Sequence, residues 1–296
     1  RWLGGLLLLP MFLLQPPAPA AASLQLTIFD VGQGLAVAAQ TQQHALLYDT
    51  GPEFNSASNS GNRILVPALR AMGIARLDSL ILTHDDSDHT GGALSIMQAI
   101  PISMLLSSLP DDSPILLQTS SRQRCSDGQN WDWDGVHFEL LHPAQESYAQ
   151  EESSNNDRGC VLRISIGQHS ILLAADIEKS AESRLLRQHA DKLRATLLVA
   201  PHHGSKTSST PGFVAAVQPR YAVFTVGYRN RFGHPKEEVV ERYRALDSEL
   251  LRSDEDGAIM IKMDAQDFTI ERYRKSHVRY WQQQNPAASA FPKADE

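Results

Sequence analysis

The stretch THDDSDHTGG at residues 83–92 constrains this chain more than any other segment. It follows SLIL (79–82), an apolar run of buried-strand type, and leads through two glycines into the helical spacing of residues 93–100. His84, Asp86, Asp88 and His89 fall within six residues directly after that strand, so the fold must either solvate them or use them. A helix-capping aspartate on an exposed loop would account for one carboxylate, and Asp85 fits plain surface. The four together fit a metal-binding turn better. Imidazole and carboxylate side chains jointly hold Zn, or harder divalent ions such as Mn.

The surrounding pattern supplies further strand ends. Residues 24–31, 35–40 and 44–51 read as strands, followed by a Ser/Asn/Gly loop at 55–62 and a helix at 63–72 that Gly73 stops. A strand at 102–108 follows the helix at 93–100. The second half repeats the alternation, with strands at 136–143, 160–167 and 169–176, and a helix at 178–189. Strands at 196–204 and 221–227 flank a short helix near Phe213, and a helix at 235–246 starts on proline. Residues 249–263 and 268–275 read as two closing strands. Two successive blocks of strands, each flanked by helices, predict an α/β (α+β) protein of two sheets with helices outside. The polar stretch 145–158 reads as a mobile loop.

Several chemistry-bearing residues sit at these strand ends. Asp176 closes ILLAAD, where its carboxylate either bridges two metals or caps the next helix. His202 and His203 end TLLVAP, and the SKTSS that follows offers Ser205, Lys206 and Thr207 to an anionic group. His234, in NRFGHP with Asn230, is a loop histidine that either donates a proton or binds substrate. Asp30 in FDVGQG and Asp49 in YDTG are candidates for holding ligand histidines from behind.

A formal charge of −7 gives no global attraction to nucleic acid. Local basic groups must therefore make any such contact: Arg229, Arg231, and the cluster Arg272, Arg274, Lys275, His277 and Arg279 with Tyr273, Tyr280 and Trp281. Residues 2–14 are apolar and uncharged, and 15–22 (QPPAPAAA) read as a linker. The run is short for a full membrane span. It reads as the end of a transmembrane helix, as a signal-like segment, or as a buried helix. The first two place residues after about 22 on the extracytoplasmic side. Two cysteines, Cys125 and Cys160, are too few for a thiolate zinc site, and form either one disulfide or two buried thiols.

The ordered motifs FDVGQG, YDTG, THxDxDHxGG, LLxxD, PHHGSKTSS and GHP resemble the metallo-β-lactamase superfamily. More narrowly, they resemble the C-terminal domain of ComEC-type DNA internalisation competence proteins. The resemblance covers residues 24–281. It implies a four-layer αββα sandwich over 23–282, with 1–22 as a membrane-helix or signal-like end plus linker and 283–296 as a flexible tail. It also implies a metal set of His84, Asp86, Asp88, His89, Asp176 and His203 around two divalent ions, Mn or Zn. Asp86 stands where the superfamily has a histidine. A further ligand histidine lacks a clear counterpart, and Asn155, Asn156 or His142 stands near its place. That gap weakens one metal site and shifts the donors towards oxygen, favouring Mn.

The implied reaction is metal-dependent phosphodiester hydrolysis, with Asp88, His202 and His234 catalytic and Ser205, Lys206, Thr207 and Asn230 on the substrate. The implied substrate is single-stranded DNA. The implied partners are the inner-membrane remainder of the same polypeptide and other DNA-uptake components. The competing readings are a small-molecule or cell-wall phosphodiesterase, and a degenerate domain that binds DNA without cleaving it.

Overall fold

The computed structural model describes residues 16–149 and 154–278. The apolar run before residue 16 and the tail from 279 onwards, with Arg279, Tyr280 and Trp281, lie outside the described residues. The first half runs β1 (Leu24–Ile28), β2 (Val37–Gln40), β3 (Ala45–Tyr48), β4 (Glu53–Asn55) and β5 (Ser58–Asn59). A π-helical turn, Gly61–Leu65, continues into α1 (Val66–Ala71), then β6 (Leu77–Leu82), α2 (Ser87–Thr90), α3 (Ala93–Ala99), β7 (Ile102–Ser107) and β8 (Arg122–Arg124). The second half holds β9 (Asn130–Trp133), β10 (Val136–His142), β11 (Val161–Ile166), β12 (His169–Leu173), α4 (Lys179–Gln188) and β13 (Leu197–Val199). After α5 (Pro211–Val217) come β14 (Tyr221–Phe224), α6 (Glu237–Arg244) and β15 (Glu249–Arg252). The chain then closes with α7 (Ser253–Asp256), β16 (Ile259–Met263), β17 (Phe268–Arg272) and α8 (Tyr273–Ser276).

These strands form an eight-stranded sheet, β17-β16-β1-β2-β3-β6-β7-β8, and a seven-stranded sheet, β15-β14-β13-β12-β11-β10-β9. Alternation along each strand explains why so many positions are apolar. Leu162, Ile164 and Ile166 of β11 face the core between the sheets, and so do Ile171 and Leu173 of β12. Val161 and Leu172, on the opposite face, pack with Leu185 of α4, Phe213 of α5 and Tyr243 of α6. Leu47 and Leu80 of the other sheet likewise face Leu65, Leu69 and Ile96 under its own helices. Strands covered on both faces lose the polar alternation of a half-exposed sheet. The result is the expected αββα sandwich.

Cys125, beyond the edge strand β8, and Cys160, before β11, are joined by a disulfide inside the inter-sheet core. The Tyr48 hydroxyl also crosses between sheets, donating to the Cys160 and Leu173 carbonyls at 2.6 and 3.2 Å. The bridge closes a separation of 35 residues, for which loop-closure entropy gives about 3–4 kcal/mol. Replacing both cysteines by Ala should lower the thermal midpoint accordingly. An unchanged midpoint under non-reducing conditions would show that the bridge contributes nothing.

Several expectations change. Residues 249–263 are not one strand: β15 ends at Arg252, α7 turns the chain, and Gly257, at φ 73°, ends that turn before β16 in the other sheet. A side chain at that φ would be strained, so the end of α7 falls on a glycine. The two blocks are therefore not fully successive, because β16 and β17 return to the first sheet. The strand expected at 196–204 stops at Val199 and gives way to a turn in which His202 and His203 take left-handed backbone. The 55–62 loop carries the short hairpin β4–β5, and α1 starts from a π-turn. Within 145–158, short 3-10 turns occupy Gln145–Ala149 and Asn156–Arg158. β8 and β9 lie outside the strands read from the sequence; both are short edge strands with exposed polar positions.

Candidate metal centre

The carboxyl ends of β3, β6, β12, β13 and β14 meet at one end of the sandwich. Crevices at such strand ends are where open α/β sheets place their ligands. Asp49, one residue past β3, is fully buried, and its carboxylate organises the β6 loop. It accepts from the Thr83 amide at 2.8 Å, from the Thr83 hydroxyl at 2.8 Å, and from His89 Nδ1 at 2.7 Å. The Thr83 hydroxyl, already donating to Asp49, accepts from His84 Nδ1 at 2.9 Å. Across the site, His203 Nδ1 lies 2.9 Å from the Thr225 hydroxyl at the end of β14. Each of the three imidazoles is thus held through Nδ1, which fixes its orientation and leaves Nε2 as the outward donor.

Those Nε2 atoms converge on Asp176. His89 Nε2 lies 3.2 Å from Asp176 Oδ1, and His203 Nε2 lies 3.4 Å from Oδ2 and 3.3 Å from Asp88 Oδ2. His202 Nε2 approaches Asp176 Oδ2 at 3.8 Å, while its Nδ1 is 3.1 Å from Glu178 and 3.3 Å from the Thr207 hydroxyl. His84, His89 and Asp176 offer ligand atoms all within 4.8 Å of one another, as do Asp88, His89 and His203. His89 belongs to both groups, yet one bare nitrogen serves one ion. Asp176 aims its two oxygens at different histidines, so it is the group able to serve both sets. A second ion would need Asp86, whose Oδ2 is 3.4 Å from His84 Nε2.

These donors fit a divalent ion. His84 Nε2, His89 Nε2, His203 Nε2 and Asp176 Oδ1 are buried without a hydrogen-bond partner. Leaving a buried polar atom unpaired costs about 1–3 kcal/mol, and four such atoms in one cavity are what a cation would relieve. Without an ion, charge does part of that work. Burial pushes His203 down, but the Asp176 and Asp88 carboxylates outweigh it and hold its pKa at about 9. Burial alone would raise Asp88, and His203 and His89 instead keep it at about 2. His89 is raised and Asp176 lowered by the same mutual attraction, again against burial.

The FDVGQG motif supports this loop from outside. At Gly34 a Cβ would stand 2.3 Å from the Asp88 carbonyl, so only glycine lets the β1–β2 loop lie against the ligand turn. Asp30, from the same motif, does not hold a ligand histidine; its carboxylate pairs with Arg274 at the surface. The Asn230 side chain is spent within its own loop. Its amide donates to the Gly227 and His234 carbonyls, and its oxygen accepts from the His234 amide. Ser205 is buried against Thr207, whose hydroxyl donates to Glu178, so of the three only exposed Lys206 has an uncommitted donor. His142 is no ligand, because its Nε2 is spent on the Asp157 carbonyl at 2.7 Å. Asn155 stands beside the centre instead, donating to Asp86 Oδ1 at 2.8 Å. His234 lies 6.0 Å from His202, ring to ring. Burial, then the neighbouring imidazoles and Lys236, hold its pKa down to about 4. Its Nδ1 is buried without a hydrogen-bond partner.

Thr83, Thr225 and Glu178 were not singled out in the sequence. The two threonines are polar residues closing apolar strands, the only sign that could have marked them.

The metallo-β-lactamase superfamily profile matches residues 29–227. Over 268 residues the chain is 36% identical to Competence protein ComA of Neisseria gonorrhoeae, covering 90% of this chain and 36% of that protein. It is 29% identical over 280 residues to ComE operon protein 3 of Bacillus subtilis, covering 88% and 35%. The chain therefore spans about a third of the length of these relatives. Among solved structures, CmlA, a diiron β-hydroxylase from Streptomyces venezuelae, superposes with a TM-score of 0.54 at 15% identity, over 83% of this chain and 55% of that one. At that identity the likeness speaks for the fold alone. With the fold, the ligand turn and the profile in agreement, the chain belongs to the metallo-β-lactamase superfamily, and its relatives include competence proteins of the ComEC type.

Proposed function

We propose that this chain is the metal-dependent phosphodiesterase domain of a DNA-uptake membrane protein, acting as a nuclease on the strand that is not imported. The observation that carries the reading is the convergence of three bare imidazole nitrogens and an unpaired carboxylate oxygen at the strand ends. Bound divalent ions lower the pKa of water towards neutrality and offset charge on a phosphoryl group. His84, His89, His203, Asp88 and Asp176 would hold them, with Asp86 completing a weaker second set. The many carboxylates favour Mn over Zn. His202, fixed through Nδ1 by Glu178 with Nε2 towards the centre, is the group placed to protonate the leaving oxygen. Lys206 supplies a point charge for phosphate.

The competence-protein relatives support DNA as substrate. They also support a membrane-associated protein; in the proposed reading this domain sits on the extracytoplasmic side, with the rest of the polypeptide as its partner. The disulfide suits an oxidising compartment. Among the described residues, no helix is long and apolar enough to cross a membrane. Parallel assays with Mn, Zn and Mg, on single-stranded DNA and on a chromogenic bis-phosphodiester, test the reading. Cleavage of DNA with Mn is the expected result. Turnover of the small ester alone would assign a small-molecule phosphodiesterase, and no turnover with any ion would leave a degenerate binding domain.

A further inference from the structure

Residues 228–232 (YRNRF) place an arginine next to an aromatic residue at each end of a five-residue segment beside the centre. Tyr228 is 75% exposed and Phe232 46% exposed. The Arg229 guanidinium carbon lies 5.2 Å from the Tyr228 ring centre, and that of Arg231 lies 4.8 Å from the Phe232 ring centre. Among the described residues neither arginine has an ion-pair partner. Two large rings left in water, each with a cation on its face, are not needed by the core.

Nor is the segment slack. Asn230 ties Gly227 to His234 through three hydrogen bonds, and Lys236 donates to the Phe232 carbonyl at 2.7 Å. The Gly227 amide is anchored to Gln33 Oε1 at 3.3 Å. The Phe232 ring stacks on His234 at 5.7 Å, and His234 in turn lies 6.0 Å from His202. A continuous row of rings therefore runs from solvent to the edge of the centre.

We propose that residues 228–232 form a stacking platform for unpaired nucleobases, which guides a single nucleic-acid strand towards the metal centre. The assignment rests on the phosphodiesterase reading and names its substrate as a strand with accessible bases. Exposed rings stack on any base, and the arginines pair with the phosphates between bases. In an acidic chain this local pairing supplies what the net charge withholds.

Stopped-flow fluorescence anisotropy of the full chain, read before turnover, tests the platform with two probes. One is labelled oligothymidylate, and the other is an abasic phosphodiester strand of the same length. The parent should bind oligothymidylate roughly tenfold or more tightly than the abasic strand. The Tyr228→Ala/Phe232→Ala variant should bind both alike. Tyr228→Ala alone, at a largely exposed position, should lose part of the preference without moving the thermal midpoint. Equal affinity for both strands in the parent, or an undiminished preference in the double variant, overturns the platform. A chain that keeps the preference yet cleaves no phosphodiester supports the platform and removes the proposed reaction.

Discussion

With Asp176 replaced by Ala, metal-supported hydrolysis falls by about 10³-fold or more, and the ion content of the purified chain drops with it. A bound ion supplies several kcal/mol of charge stabilisation, and a thousandfold in rate corresponds to about 4 kcal/mol. Asp176 is the largest single lever because it touches both ligand groups, with Oδ1 towards His89 and Oδ2 towards His203 and His202. It is almost fully buried, so water cannot replace the lost oxygens. The fold should survive, because His203 and His89 can give up their protons once the facing carboxylate is gone. Initial rates, metal analysis and a melting curve on the same preparation check all three parts. Asp176 does not cap α4, whose first amides donate to Asp157, so parent-like rates with parent-like ion content would remove it from the metal centre.

Much of this centre was legible because its residues are compressed into short motifs after apolar runs. The THDDSDHTGG turn holds four of the donors, and a strand ending in acidic and imidazole groups has few bland explanations. Asp176 and His203 were readable for the same reason. What stayed hidden depends on geometry that one-dimensional patterns lack. Asp30 and Asp49 look alike in sequence, each following a strand and preceding a glycine. Only the path of β3 beside β6 places Asp49 behind His89, whereas Asp30 is directed to Arg274. The side-chain amide of Asn230 is spent on backbone of its own loop, which no sequence pattern shows. Thr83 and Thr225 act by one hydroxyl each, and a threonine at a strand end is too common to stand out. The break at 249–263 is written in the sequence as the polar run SDED at 253–256, a helical turn short enough to pass for part of a strand.

The mutual attraction within the centre has a consequence for pH. His203 is held at about 9, above the ordinary imidazole value of about 6.5. A raised folded-state pKa stabilises the protonated form, so the ion-free chain gains full stability from it below about pH 6.5. That stability is lost as pH rises through about 9. Asp88, held at about 2, contributes in the opposite sense: its share is present above about pH 4 and lost as pH falls through about 2. The ion-free chain should therefore be most stable between about pH 4 and 6.5, and soften towards pH 9. A divalent ion needs the neutral imidazole, so binding must displace the His203 proton. Affinity then climbs about tenfold per pH unit for each proton released, or about 100-fold between pH 6 and pH 8. The two trends run oppositely, so the gap in melting temperature between loaded and stripped protein widens as pH rises. Calorimetric titration in two buffers of different ionisation enthalpy would count the protons directly. An affinity that is flat across this range, with no proton released, would mean that His203 is already neutral and that Asp176 and Asp88 do not hold its charge.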